Sequence, residues 1–252
     1  MGRFSAMSHD TINEQFHRDG FTVLEKFVPE SELVEVETGL NALTTLHHDH
    51  IDPEDLFYED DGKTIRQIER LNKCGEFFAG LSQHRRFSDL IEVIFGEPTQ
   101  HDNLSYMAKP ARGGAAAPSH QDNAYYHLVP AHALTFWIAL DESNEGNGCV
   151  RVVPGSHKMG TLPHRPSGVN GLSLTLVDPP APATEEPILL KRGDCSIHHC
   201  NTIHRSTTNT SECSRRGLLL FTRTTRCVVD QQVKDRYESV RRAMITKRDG
   251  GD

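Results

Sequence analysis

Residues 133–156 read ALTFWIALDESNEGNGCVRVVPGS, and they set the texture of the second half of the chain. Ala133 to Leu140 is a short apolar run of strand length, rich in aromatic and β-branched side chains. Asp141 to Gly148 is a turn, 149–153 a second strand, and Pro154-Gly155-Ser156 closes it. The same alternation runs in both directions and predicts strands at 103–109, 118–122, 172–177, 187–191, 194–199 and 215–224. Strands this short at this spacing argue for a sandwich or jelly roll.

Toward the N-terminus the pattern is helical. Ser8 to Asp19 reads as a helix capped by Ser8 or Asp10 and stopped by Gly20, and 21–27 is strand-like. Pro29 opens a second helix through about Leu46, 47–62 reads as an acidic surface loop, and 64–81 as partly helical. Phe87 to Phe95 is an amphipathic helix ended by Gly96. The expected fold is therefore mainly β with flanking helices, a double-stranded β-helix (jelly roll) with the helices on one sheet. One domain is expected over 1–252: a mainly helical part at about 8–100, a core at about 101–226, and a C-terminal helix or tail at 227–252.

The bulk properties narrow the partners. A formal charge of −8 offers no basic footprint for nucleic acid, and no apolar run approaches the ~20 residues that span a bilayer. Met1 to Met7 lacks the apolar core of a signal peptide, so a reducing cytoplasm is expected. None of the six cysteines forms a C-x-x-C pair, which argues against a zinc knuckle. The oligomeric state is not legible.

Within the strand-like segment 118–122, His120 and Asp122 are two residues apart and so share one face if the strand is regular. His204 follows far downstream, in a Ser/Thr/Asn-rich run closed by Arg215-Arg216, with His198 and His199 as rivals for a third ligand. Two imidazoles and a carboxylate on one metal face leave the opposite face open, as in non-haem Fe(II) oxygenases. Such a site can equally hold zinc or manganese for hydrolysis or isomerisation, or serve a non-catalytic binding protein.

The run His204-x-Ser206-x-x-Asn209-x-Ser211-x-x-x-Arg215 resembles the phytanoyl-CoA dioxygenase family of Fe(II)/2-oxoglutarate oxygenases. The H-x-D pair, Asn147-Gly148-Cys149-Val150, Pro154-Gly155-Ser156-His157 and Arg192-Gly193-Asp194 precede it in the family's order, with an arginine eleven positions after the histidine. The resemblance extends from about Phe16 to Phe221. It implies Fe(II) held by His120, Asp122 and His204, with 2-oxoglutarate as cosubstrate and O2 as oxidant. Arg215 would pair with the distal carboxylate of 2-oxoglutarate, Arg216 being the alternative, and Ser206 would assist. Trp137 matches a family tryptophan near the cosubstrate or fills the core. Lys73 resembles a family lysine reaching in from the helical half, and Asn103 and Ser105 would line the same cavity. Halogenating relatives lack the ligand carboxylate, so Asp122 implies hydroxylation, with succinate and CO2 as co-products.

The chain has little extra loop for a carrier such as acyl-CoA, which favours a small-molecule substrate. Asn123-Ala124-Tyr125-Tyr126 would face the pocket mouth. Arg66-Gln67 can reach in, although solvated surface is the plainer reading of Arg66. An Arg/Lys/Tyr pocket of that kind suits an anionic or zwitterionic molecule.

Overall fold

The computed structural model describes residues 8–169, 172–237 and 239. In chain order the first half comprises α1 (His9–Asp19), β1 (Phe21–Leu24), α2 (Glu30–Thr45), β2 (Leu56–Tyr58) and β3 (Ile65–Ile68). Next come α3 (Glu76–Ser82), α4 (Arg85–Phe95), β4 (Thr99–Lys109), β5 (Ala117–His120) and α5 (Asn123–Tyr126). After them lie β6 (Leu128–Val129), β7 (Ala133–Ala139), β8 (Val150–Val152), β9 (His164–Val169) and β10 (Leu172–Leu176). The rest are β11 (Glu186–Pro187), β12 (Cys195–His199), β13 (His204–Ser206), β14 (Arg215–Thr224) and β15 (Val228–Val229). Residues 231–237 are helical; of the expected C-terminal tail, 238 and 240–252 lie outside the described residues.

Local chemistry sets the helix ends. The Ser8 side chain accepts from the Thr11 N–H, and Gly20 at φ +80° donates its N–H to the Phe16 carbonyl, closing α1 at both ends. Gly96 ends α4 in the same way, at φ +67°.

Two antiparallel sheets form the jelly roll. The larger runs β1-β12-β7-β14-β4-β3-β2 and the smaller β11-β8-β13-β5. Period-two alternation divides the large sheet into two faces. Leu104, Leu134, Phe136, Ile138, Ile197, Leu218 and Leu220 join the helical residues Phe16, Leu33, Phe87 and Ile91 in one core. The helices thus pack on one sheet, as expected. The other face of the same strands, with Ser105, Thr135, Trp137, His198 and Arg215, lines a cavity between the sheets.

The first hundred residues are less helical than predicted. Ile65–Ile68 is a strand, pairing Gln67 with Met107 of β4, and 47–62 contains β2. A strand with one face on a polar cavity carries polar residues where an ordinary core strand carries apolar ones, so its pattern reads as surface. Arg66, expected to be solvated, is only 6% exposed. The strand expected at 118–122 ends at His120, and the one at 187–191 reduces to Glu186–Pro187 with a bridge from Ser143 to Leu190. Among the described residues no helix is long and apolar enough to cross a membrane.

Candidate active site

His120 ends β5 and His204 begins β13, and the two stand opposite each other in the register of the small sheet. Asp122 is brought to them by a different route from strand alternation. It sits in right-handed helical conformation (φ −60°, ψ −36°) and opens α5, so a strand-to-helix turn swings its carboxylate back toward His120. One ligand atom from each of His120, Asp122 and His204 lies within 4.8 Å of the others. The intervening Gln121 is fully buried and points away; its amide donates to the Gly160 and Asn201 carbonyls and accepts from Leu162 N–H.

The hydrogen bonds fix which atoms face inward. Nδ1 of His120 lies 2.7 Å from the Pro118 carbonyl, and Nδ1 of His204 lies 2.9 Å from the Thr202 carbonyl. A carbonyl only accepts, so both protons reside on Nδ1 and both Nε2 lone pairs are free. Those Nε2 atoms face Oδ1 of Asp122 at 3.7 and 3.5 Å. Oδ2 is occupied by the Thr135 hydroxyl at 2.5 Å and by Nε2 of His198 at 3.2 Å. Neutral imidazoles anchored through Nδ1, and a carboxylate anchored through one oxygen, are the arrangement that orients metal ligands.

Electrostatics agree with that state. Burial, then the neighbouring His120, pushes His204 down to about 3, and burial also lowers His120. Burial opposes ionisation of Asp122, but the imidazoles of His204 and His198 outweigh it and hold the carboxyl below the ordinary range. At neutral pH the triad therefore presents two neutral imidazoles and one carboxylate, the forms that bind a divalent metal without first losing a proton. His198 spends its Nε2–H on Asp122 and offers no lone pair there. His199 faces the helical core, its ring near Phe16 and Phe95.

Across the cavity, Arg215 is 2% exposed. It stacks over Trp137, with its guanidinium carbon 4.8 Å from the ring, and donates to the Gly148 carbonyl at 2.8 Å. Its Nε is buried and has no hydrogen-bond partner among the described residues. Burial pushes its pKa down to about 10, and among the described residues no carboxylate pairs with it. An uncompensated buried cation of this kind calls for an anionic ligand. Arg216, on the other face of β14, pairs with Asp141 and Glu37, both at 2.7 Å. Gly217 is required here, since a Cβ would lie 2.5 Å from the Trp137 ring.

The motif residues between ligand and arginine shape the connection. The Asn209 amide donates to the carbonyls of Lys109, Pro110 and Cys213, and its oxygen accepts from Ser211 N–H. That side chain holds the loop carrying the chain from the small sheet to the large one, which is how Arg215 comes to face His204. Ser156 accepts from Ile203 N–H and so positions the start of β13.

The cavity is about 360 Å³, within the range of small-molecule sites. Besides the triad it is lined by Arg215, Ser206, Trp137, Asn103 and Ser105. Asn103 and Ser105 line the cavity as expected, and both donate to the Glu69 carboxylate. Lys73 does not reach the site. It ends the turn Leu71–Lys73, which buries Leu71 and leaves the lysine exposed. The buried lysine is Lys109, behind Arg215, and it does not line the cavity. Gln67 lines it but Arg66 does not; the arginines of the lining are Arg205 and Arg215. Sequence reading missed Glu69, Thr135 and Tyr237.

Residues 16–217 match the family model described as phytanoyl-CoA dioxygenase (PhyH). A phytanoyl-CoA dioxygenase of Arabidopsis thaliana is 26% identical, over 87% of this chain and 90% of that protein. A probable alpha-ketoglutarate-dependent hypophosphite dioxygenase of Stutzerimonas stutzeri is 28% identical, over 80% of this chain and 73% of its own length. Among solved structures, EctD from S. alaskensis with 2-oxoglutarate and 5-hydroxyectoine superposes with a TM-score of 0.72 at 22% identity, covering 87% of this chain and 77% of that one. The likeness at that identity is one of fold.

Proposed function

The chain belongs to the phytanoyl-CoA dioxygenase family, and from that premise we propose an Fe(II)- and 2-oxoglutarate-dependent dioxygenase that hydroxylates a small molecule. Succinate and CO2 are its co-products, and residues 1–252 form a single oxygenase domain, of which 16–217 match the family model. The observation that carries this reading is one cavity holding both a convergent His-Asp-His triad and a buried arginine with no carboxylate partner among the described residues. His120, Asp122 and His204 would hold the iron, the two imidazoles having free Nε2 lone pairs that face Oδ1 of Asp122. Iron with 2-oxoglutarate, when bound, supplies the O2 activation that hydroxylation needs.

The protein's own part is binding, orientation and exclusion of water. Arg215 offers its unpaired Nε edge to the distal carboxylate of 2-oxoglutarate, a bidentate match for the planar guanidinium. Trp137 holds the guanidinium from one side, and Ser206, 4% exposed, lines the same end. The rest of the cavity is left for substrate, bounded by Tyr125, Tyr126, Leu172 and Tyr237. Its small volume and the small molecules named for the S. stutzeri and S. alaskensis proteins favour a small substrate over an acyl carrier. Hydrolysis or isomerisation without a cosubstrate would leave Arg215 uncompensated. Anaerobic titration with Fe(II) and then 2-oxoglutarate tests the reading: a weak visible absorption band needing both is expected. Its absence, or turnover without 2-oxoglutarate, would overturn it.

A further inference from the structure

Glu69 is a second carboxylate in the cavity, and among the described residues no cation holds it. It follows β3, and its oxygens accept hydrogen bonds from the Gln67 and Asn103 amides and from the Ser105 hydroxyl. Arg70, next in the chain, turns away to pair with Asp55 at 2.6 Å and Asp52 at 3.4 Å. Among the described residues no Lys or Arg forms an ion pair with Glu69. Three neutral donors orient a carboxylate but leave its charge uncancelled.

A second observation comes from Gln67, only 5% exposed and lining the same cavity. Its Nε2 is committed to Glu69, which fixes the amide orientation and leaves Oε1 buried with no hydrogen-bond partner. The corner therefore presents a carboxylate and a spare carbonyl oxygen, with the Tyr126 hydroxyl beside them at Asn103. Aromatic rings enclose it: Tyr126 is stacked 3.6 Å from Phe221, and Tyr125 meets Tyr237 edge-on. A carboxylate, a spare carbonyl and aromatic faces together recognise organic cations.

Charge balance points the same way. In the loaded site the charges of iron, Asp122, 2-oxoglutarate and Arg215 cancel, and Arg205 at the rim is paired with Glu185 at 2.6 Å. Only Glu69 is left over.

We propose that Glu69 and Gln67 bind an ammonium or guanidinium group of the substrate, so that the substrate class is a small amine, cationic or zwitterionic. The proposal rests on the oxygenase reading above. It narrows the anionic or zwitterionic expectation, since neither Arg66 nor Lys73 lines the cavity.

The test uses the Fe(II)/2-oxoglutarate complex without O2 and follows paramagnetic broadening of probe proton signals. Probes are n-butylammonium, n-butylguanidinium and benzylammonium, each against its neutral counterpart n-butanol, n-butylurea or benzyl alcohol. The wild type should bind the cations about tenfold or more tightly than their partners. Glu69→Gln should bring that ratio near one, and Glu69→Asp should reduce it less. Equal binding of cations and neutral probes by the wild type overturns the proposal, whether or not either variant folds. So does a cation preference that survives in Glu69→Gln. Failure of the wild type to take up Fe(II) and 2-oxoglutarate at the outset would instead sink the oxygenase reading.

Discussion

The Thr135 hydroxyl donates to Oδ2 of Asp122 at 2.5 Å, so the large sheet holds the carboxylate whose other oxygen faces the two imidazoles of the small sheet. The prospective metal site is thus assembled by the packing of the two sheets, and Thr135 is the fastener. Thr135→Val keeps the shape and removes the hydroxyl. Loss of such an outer partner typically weakens metal binding ~10–100-fold. A competition titration against a chelator reads this directly, and an unchanged iron affinity would show that Asp122 needs no anchor from β7.

Ligand identity separates His204 from its neighbours. His204→Ala should abolish iron binding, because His120 is already used and His198 turns its Nε2–H to Asp122, so among the described residues no imidazole is left to replace it. His199→Ala should leave iron bound and cost roughly 1–3 kcal/mol of folding stability, since its ring packs near Phe16 and Phe95 and Nδ1 accepts from Asn201 N–H. Iron content and thermal melts of the two variants distinguish them. Iron retained in His204→Ala but lost in His199→Ala would reverse the assignment.

The triad and the arginine were legible because chemistry-bearing residue types recur at fixed spacing around His120, His204 and Arg215. The jelly roll was legible from strand length and turn residues, since those are local properties. Thr135, Glu69 and Tyr237 were not. They reach the cavity from β7, from the end of β3 and from the helical segment after β15, and nothing in their own neighbourhoods marks them. β3 itself was hidden because its cavity face is polar. Lys73 shows the converse error: a motif letter carries no direction, and the turn that buries Leu71 points the lysine outward.

The two adjacent arginines of β14 should differ sharply. Arg215→Ala removes the proposed buried partner of the distal carboxylate, and a desolvated charge pair of this kind is worth about 2–5 kcal/mol. The 2-oxoglutarate requirement should therefore rise roughly 30-fold or more, with iron affinity little changed. Arg215→Lys should recover part of the loss, because an ammonium lacks the planar fork. Arg216→Ala breaks the half-exposed pairs to Asp141 and Glu37 and should lower stability slightly without affecting the cosubstrate. Equal, mild effects on 2-oxoglutarate from both positions would exclude Arg215 as the clamp.

Lys109 gives the fold a pH dependence that can be worked out in sign. It stands directly opposite Arg215 in the β14–β4 register, is 5% exposed, and donates to the carbonyls of Ala115 and Thr207. Burial, and then the Arg215 charge, pushes its pKa down to about 7. In the unfolded chain the ammonium keeps its ordinary pKa of about 10.4. Between those values the unfolded state binds more protons than the folded one, so stability rises with pH across that window. Below about 7 both states are protonated and the penalty of burying the charge is present in full. Lys109→Met removes the charge and also the two hydrogen bonds, a loss independent of pH. The stability of the wild type relative to Lys109→Met should therefore be lowest near pH 6 and improve toward pH 9, read by urea unfolding at each pH. In an Arg215→Ala background the second cause is gone, so the improvement should shift to higher pH. A wild-type-minus-variant difference that stays flat from pH 6 to 9 would mean that Lys109 titrates normally and that the interior behind Arg215 is wetter than its burial implies.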